Sequence, residues 1–269
     1  MSISGFGQTG PMKEKPAMDP IIQAFTGFMS ENKGPDNCPH RTPVIMFDMM
    51  TALYATQSIA STLYLNKNKK HGKKIEISLM ESAAAMQSIR LMSEYMDGPY
   101  EPASAPAGTF KTKDGWIQII AVKNHEFVRF CNAVGWNDFA NDQRFKTNAK
   151  RREQESFLTK KIQNLFKTKI TKHWQNLLTN AGVQNEKVNT YTQFVKHEQT
   201  KAMDLVSFIS QPGNKVKWPM PKIPGMTKFK SNTSLSKAPL IGEHTKQIMK
   251  ELGYSRKEIL YYFNKKVIG

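Results

Sequence analysis

The chain has 269 residues with 39 Lys and Arg against 22 Asp and Glu, a formal net charge of +17. That length can bury a substantial core without disulfides, and 39% hydrophobic with 10% aromatic content excludes a disordered basic tail. Cys38 and Cys131 lie far apart, outside any CxxC or Cys/His cluster. This sets aside a zinc site and a secreted disulfide framework, and favours a reducing, cytoplasmic setting.

From the N-terminus, Met1 to Gly10 lacks the basic and then apolar regions of a secretion signal. Gly5-Phe6-Gly7-Gln8-Thr9-Gly10 matches GxGxxG, but a dinucleotide loop needs a strand before it and a helix opening on its last glycine, and Pro11 to Pro16 follows here. An ordinary glycine turn is expected. Pro20 opens an apolar-periodic run (Ile21, Ile22, Phe25, Phe28), which Gly27 weakens and Gly34-Pro35 ends.

Asp48 then precedes an apolar helix in which Met50, Leu53, Ile59, Leu63 and Tyr64 suit burial on more than one side. Met49 to Asn66 is as long as a membrane span but carries Thr51, Thr56, Gln57, Ser58, Ser61 and Thr62, so a buried helix and no membrane partner are expected. Lys67, Lys69, Lys70, Lys73 and Lys74 cluster around His71-Gly72; a solvated turn and an anion contact both fit. Ile75, Ile77 and Leu79 alternate as in a strand. Glu81 to Met96 reads as a helix with Ala83, Met86, Ile89, Leu91 and Met92 inward.

A proline-rich connector from Gly98 to Gly108 marks a boundary. Beyond it, Lys113-Asp114-Gly115 predicts a hairpin into Trp116 to Val122, followed by helices over His125 to Val134, Arg151 to Lys167 and Thr171 to Ala181. Thr171 is the expected N-cap of the last of these. Gln211 to Ser236 reads as a second, loop-rich connector, and Gly242 to Leu252 and Ser255 to Lys265 as closing helices. The expected domains are therefore 1–101, 102–205 and 206–269.

Positive charge invites a nucleic-acid partner, yet only seven of the 39 basic residues are arginine, the side chain of the commonest specific base contact, and lysine is dispersed along the chain. No nucleic acid is expected. The six histidines are scattered, with none three to five residues from another, so no metal pair is expected either. Asp48 is the carboxylate of interest. At a helix N-cap it can accept backbone N–H bonds and stay ionised in the helix dipole. Such a carboxylate, nearly buried, is a usable nucleophile toward an acyl carbon, although most N-cap aspartates only cap.

Several ordered stretches carry a resemblance along the chain. They are Ser4-Gly5-Phe6-Gly7-Gln8-Thr9-Gly10-Pro11; Asp19, Gln23-Ala24 and Gly27; Pro39-His40-Arg41; and Asp48-Met49-Met50-Thr51-Ala52-Leu53-Tyr54-Ala55. Further on come Gly72 to Ser82, Thr112-Lys113-Asp114-Gly115-Trp116 and Pro239-Leu240-Ile241-Gly242-Glu243-His244-Thr245. Together these resemble the class III CoA-transferases, which include formyl-CoA transferases, CaiB/BaiF-type proteins and alpha-methylacyl-CoA racemases.

The resemblance implies an α/β fold: a partial Rossmann-like large domain, a smaller α+β domain, C-terminal helices returning to the large domain, and an interlocked dimer. It places the family's catalytic aspartate at Asp48 and a second acidic position at Asp19, with Lys15 and Leu79 near CoA contacts. It implies CoA transfer between an acyl-CoA and a carboxylic acid through anhydride and aspartyl-CoA intermediates, with the CoA thioester as substrate and no permanently bound cofactor. The position of a racemase's second acid/base histidine is Met18, whose thioether cannot move a proton. Arg41-Thr42-Pro43 replaces the family's RxG arrangement, and the connector around Tyr100 to Gly108 lacks its glycine-rich lid. About 130 residues of the family's N-terminal half have no counterpart, judged from ordinary domain size. The expected partner is a second copy or a separately encoded N-terminal half; a non-catalytic remnant or interaction subunit is the alternative.

Overall fold

In the computed structural model, described over residues 1–34, 36–68, 71–98, 104–228, 230 and 237–269, short strands and helices form three separate small sheets. The chain divides into two units, Met1–Ala103 and Ser104–Gly269. Lys69 and Lys70 of the basic cluster, the expected boundary at 101/102 and residues 231–236 of the second connector lie outside the described residues.

The first unit runs β1 (Ser2–Ser4), α1 (Asp19–Phe25), α2 (Phe28–Glu31), α3 (Met46–Leu65), β2 (Glu76–Ser78), α4 (Leu79–Met86) and α5 (Ser88–Asp97). β1 and β2 are parallel, with Ile3 opposite Ile77. A short strand does therefore precede the glycine motif, but no helix opens on Gly10 and the chain turns instead. Gly5 is required by a close approach: a Cβ there would collide with that of Ala17. Ser78 and Glu81 form a capping box, the Ser78 hydroxyl accepting the Glu81 N–H at 3.0 Å and the Glu81 carboxylate accepting the Ser78 N–H at 2.8 Å. Leu79 consequently begins α4 rather than ending the strand.

The core of this unit is small: Phe6, Ile22, Phe47 and Ala83 are buried, packed by Met12, Ala17, Phe28, Met46, Leu79 and Met80. Phe28 meets Phe47 edge to face at 5.8 Å. Two expectations need correction. The helix predicted over Glu81 to Met96 is broken at Gln87, whose amide donates to Thr26 Oγ1 at 3.1 Å. Met86, Ile89, Leu91 and Met92 are exposed, as are Leu53, Ile59, Leu63 and Tyr64 of α3. Periodicity locates an apolar side of a helix; it does not supply what covers it.

The second unit runs β3 (Ala107–Lys111), β4 (Trp116–Ile120), α6 (Asn124–Ala133), α7 (Asn137–Asn141), α8 (Asn148–Glu153), α9 (Glu155–Phe166), α10 (Thr171–Asn180), β5 (Gln184–Lys187), α11 (Tyr191–Lys196), α12 (Glu198–Ala202), β6 (Val206–Ile209), β7 (Trp218–Pro221), α13 (Thr245–Glu251) and α14 (Arg256–Asn264). The predicted hairpin forms, Phe110 facing Ile117, and β5 adds antiparallel to the free edge of β4. Ile117 and Ile119 point inward on β4, while Leu158, Ile162 and Phe166 recur every fourth residue on α9. With Phe127, Phe130, Trp174 and Leu178 they make the larger core. β7 lies inside the stretch read as a connector; Pro219 and Pro221 are tolerated because β6 and β7 form a two-stranded sheet with no central strand.

Candidate active site

The start of α3 shows how the first unit positions its carboxylates. A helix leaves its first N–H groups without intrahelical acceptors, and the residue flanking α3, Ile45, has no side-chain oxygen to offer. Asp19 does so from another helix. It is 1% exposed, and its Oδ2 accepts the Phe47 N–H at 2.7 Å and the Asp48 N–H at 3.3 Å. Its other oxygen accepts from the amide of Gln23, one turn further along α1. Gln23 is itself fully buried and fastens the incoming loop, its Oε1 accepting the Thr42 N–H at 3.0 Å. The aspartate is thereby held by its own helix and holds the next one.

Asp48 is therefore not the N-cap of α3. Met46 and Phe47 precede it within the helix, and its side chain is exposed rather than nearly buried. Partial loss of hydration, and then the negative charge of Asp19, raise its carboxyl above the ordinary carboxylate value. This corrects the expectation of a carboxylate held low by the helix start: two of the free N–H groups there already serve Asp19. The arrangement presents a solvent-reaching carboxylate, slightly more basic than usual, on a helix turn whose backbone is fixed from behind. Thr51, buried one turn on, donates to the Phe47 carbonyl at 2.6 Å and stiffens that turn.

The other expected contacts lie around the same core. Leu79 packs into the cluster that contains Phe47, and Lys15 is exposed, its ammonium 5.7 Å from the Phe6 ring centroid. Met18 is exposed ahead of Asp19. Gln23 is the residue whose role spacing alone left unassigned. The available signal was its position four residues after Asp19, which puts two polar side chains on one face of an otherwise apolar helix.

Comparison with known proteins adds to this geometry. Residues 1–245 match the model of CoA-transferase family III. The chain is 30% identical over 261 residues to human succinyl-CoA:glutarate CoA-transferase, covering 93% of this chain and 59% of that enzyme. It is 28% identical over 227 residues to acetyl-CoA:oxalate CoA-transferase of Acetobacter aceti, covering 80% and 58%. This chain thus spans less than two thirds of the length of these relatives. Among solved structures, a CAIB/BAIF family protein from Brucella suis superposes with a TM-score of 0.77 at 25% identity, over 93% of this chain and 66% of that one. A protein of M. tuberculosis, Rv3272, superposes with a TM-score of 0.76 at 21% identity, over 90% and 66%, a likeness of fold. The chain belongs to CoA-transferase family III.

Proposed function

We propose that this chain carries the nucleophile of an acyl-CoA:carboxylate CoA-transferase, and that Asp48 is that nucleophile. The observation that carries the reading is the exposed Asp48 carboxylate on a helix turn braced by Asp19, inside the stretch that matches the family. An Asp48 oxygen attacks the thioester carbonyl; the C–S bond breaks, CoA thiolate leaves and a mixed anhydride forms. The thiolate then attacks the Asp48 carbonyl carbon and expels the donor acid, leaving an aspartyl-CoA thioester. The acceptor carboxylate attacks that thioester, and the released thiolate attacks the acceptor's acyl carbon, regenerating Asp48. No proton is gained or lost overall, so no acid/base partner is needed, and Met18 would not serve a racemase in that role.

Asp19 acts as the positioning carboxylate, and Lys15 and Leu79 are assigned to the side where CoA enters. Succinyl-CoA with glutarate and acetyl-CoA with oxalate are the substrate pairs to assay first, because relatives carry those names. The two-stranded parallel sheet is read as part of a Rossmann-like sheet within an interlocked dimer, with the enzyme in the cytoplasm. Among the described residues, no helix is long and apolar enough to cross a membrane. Intact mass after incubation with succinyl-CoA should show an added acyl or CoA group that Asp48→Asn abolishes. An unchanged adduct in the variant would remove Asp48 from the mechanism.

A second reading, a non-catalytic remnant or an interaction subunit that needs a separately encoded half, is favoured by the exposed apolar side chains of α3 and α5. It predicts no adduct on the isolated chain. For an interaction subunit, the adduct would appear, still on Asp48, after the partner half is added.

A further inference from the structure

We propose that the hairpin ahead of α3 is a binding site for a divalent transition-metal ion of the zinc class, held by Asp36, Cys38 and His40. Among the described residues these alone bring three metal-ligating side chains together, with a carboxylate oxygen, the thiol sulfur and an imidazole nitrogen all within 4.8 Å of one another. The Asp36 Oδ1 to His40 Nε2 distance is 3.6 Å. Bonds of about 2.0–2.3 Å in a tetrahedron place neighbouring ligand atoms roughly 3.3–3.8 Å apart, so one edge of the site is already near its bound length and the thiol needs only a side-chain adjustment.

The backbone holds the three in place without help from the ion. Lys33 and Pro39 form an antiparallel bridge. The Gly34 N–H donates to the Cys38 carbonyl at 3.0 Å, and the His40 N–H to the Asn32 carbonyl at 2.8 Å. Asn32 returns a side-chain bond to the His40 carbonyl at 2.7 Å. Asn37 takes the left-handed conformation, φ 62°, that lets so short a segment reverse. The Asp36 carboxylate is oriented by the Cys38 N–H at 3.1 Å, a bond to a ligand of the kind that accompanies protein metal sites.

Gly34 keeps the space open. A Cβ at that position would lie 2.7 Å from His40 Nε2 and 2.8 Å from Asp36 Oδ1, within the cluster of ligand atoms itself. The donor set selects the ion: thiolate and imidazole favour zinc or cobalt over magnesium or calcium, which take oxygen ligands. All three side chains are exposed, so the ion can enter from solvent, water completes its coordination, and the thiol proton is released to solvent on binding. The three ligands alternate along a hairpin, so Cys38 does have a histidine neighbour in His40, contrary to the expectation that it stands outside any Cys/His cluster. The loop continues into Thr42, which Gln23 fastens, so an ion here would clip the segment leading to α3.

The test uses the full chain, stripped with a chelator and lacking any histidine tag, titrated with cobalt(II) and zinc(II). The expected result is one equivalent of cobalt with a sulfur-to-cobalt charge-transfer band, absent in Cys38→Ser. Zinc affinity by calorimetry should fall at least about tenfold in Asp36→Asn, His40→Gln and Gly34→Ala, with unchanged far-ultraviolet circular dichroism. Zinc should also raise the melting temperature of the parent chain and not that of Cys38→Ser. A missing band, a band that survives Cys38→Ser, or zinc affinity indifferent to His40→Gln would overturn the proposal.

Discussion

The Asp19 carboxylate accepts the backbone N–H of Phe47 at 2.7 Å, so the cap of α3 comes from a residue 28 positions earlier in the chain. Its second oxygen is engaged by Gln23, which leaves the carboxylate with donors on both sides and no room for a donor of its own.

Asp19→Ala should therefore be among the most damaging changes in the first unit. It leaves the buried Phe47 N–H without its acceptor and removes the shortest bond of the Gln23 amide, which keeps longer ones to the carbonyls of Thr42 at 3.3 Å and Val44 at 3.5 Å, a loss of about 2–3 kcal/mol. Asp19→Asn should cost less but still destabilise, because its NH₂ must face one of the two donors. Urea denaturation followed by circular dichroism measures both. An Asp19→Ala variant within about 0.5 kcal/mol of the parent would show that the cap contributes nothing.

Asp48→Asn carries the opposite sign for stability. The folded-state carboxyl is raised above its unfolded value, so the fold disfavours the charged form, and that penalty grows as pH rises through the raised value. Removing the charge should stabilise the fold at neutral pH, by less than about 1 kcal/mol once solvent screening of so exposed a group is counted, and so raise the melting temperature slightly. Below the ordinary carboxylate range the two proteins should melt together. A variant less stable than its parent at pH 7 would contradict the direction of the shift.

Part of this was legible from residue order. The β3–β4 hairpin followed from Lys113-Asp114-Gly115 between apolar runs, because a turn and its strands are local. β5 was not legible: Gln184 to Lys187 is a polar edge strand whose only strand partner among the described residues is β4. For Asp48, spacing located the right helix and misassigned its cap, since the actual cap is a side chain from α1. Asp36, Cys38 and His40 come together through a hairpin, and their every-second-residue spacing in the sequence is not the helical one of a histidine pair. Where the controlling contact is long-range or belongs to a hairpin, the one-dimensional pattern carries little of it.

Asp114 repeats the device in the second unit. Thr171 was expected to cap α10 and is instead its first residue; Asp114 Oδ1 accepts its N–H at 2.7 Å and its hydroxyl at 2.8 Å. These bonds to Thr171 hold the Asp114 carboxyl below the ordinary value. A lowered folded value means stability that is present above the unfolded pKa and lost as pH falls through the folded one. Asp114→Ala should lower the melting temperature at pH 7, and the gap should narrow in acid. Asp114→Asn, which keeps an acceptor, should fall between and lose the acid dependence; parallel pH profiles for all three proteins would refute this.

Arg151 is the largest fully buried side chain of the second core. Its guanidinium donates to the carbonyls of Ala105 at 2.6 Å, Phe145 at 3.2 Å and Val122 at 3.2 Å, and to Asn124 Oδ1 at 3.0 Å, and it lies 4.8 Å from the Phe127 ring centroid. These partners are neutral oxygens spread around a planar fork, a geometry that a lysine ammonium cannot reproduce. Arg151→Ala should cost about 3–5 kcal/mol, from the cavity and the carbonyls left unpaired, and Arg151→Lys should recover little of it. A second readout follows from Cys131, fully buried in the same core, whose thiol is pushed up to about 12 chiefly by burial. In the native parent a thiol reagent should label exposed Cys38 quickly and Cys131 only on unfolding. In Arg151→Ala, native-state labelling of Cys131 should accelerate as the core opens more often. An Arg151→Lys protein with parent stability and a still-protected Cys131 would mean that charge alone, and not the fork of donors, is what this position requires.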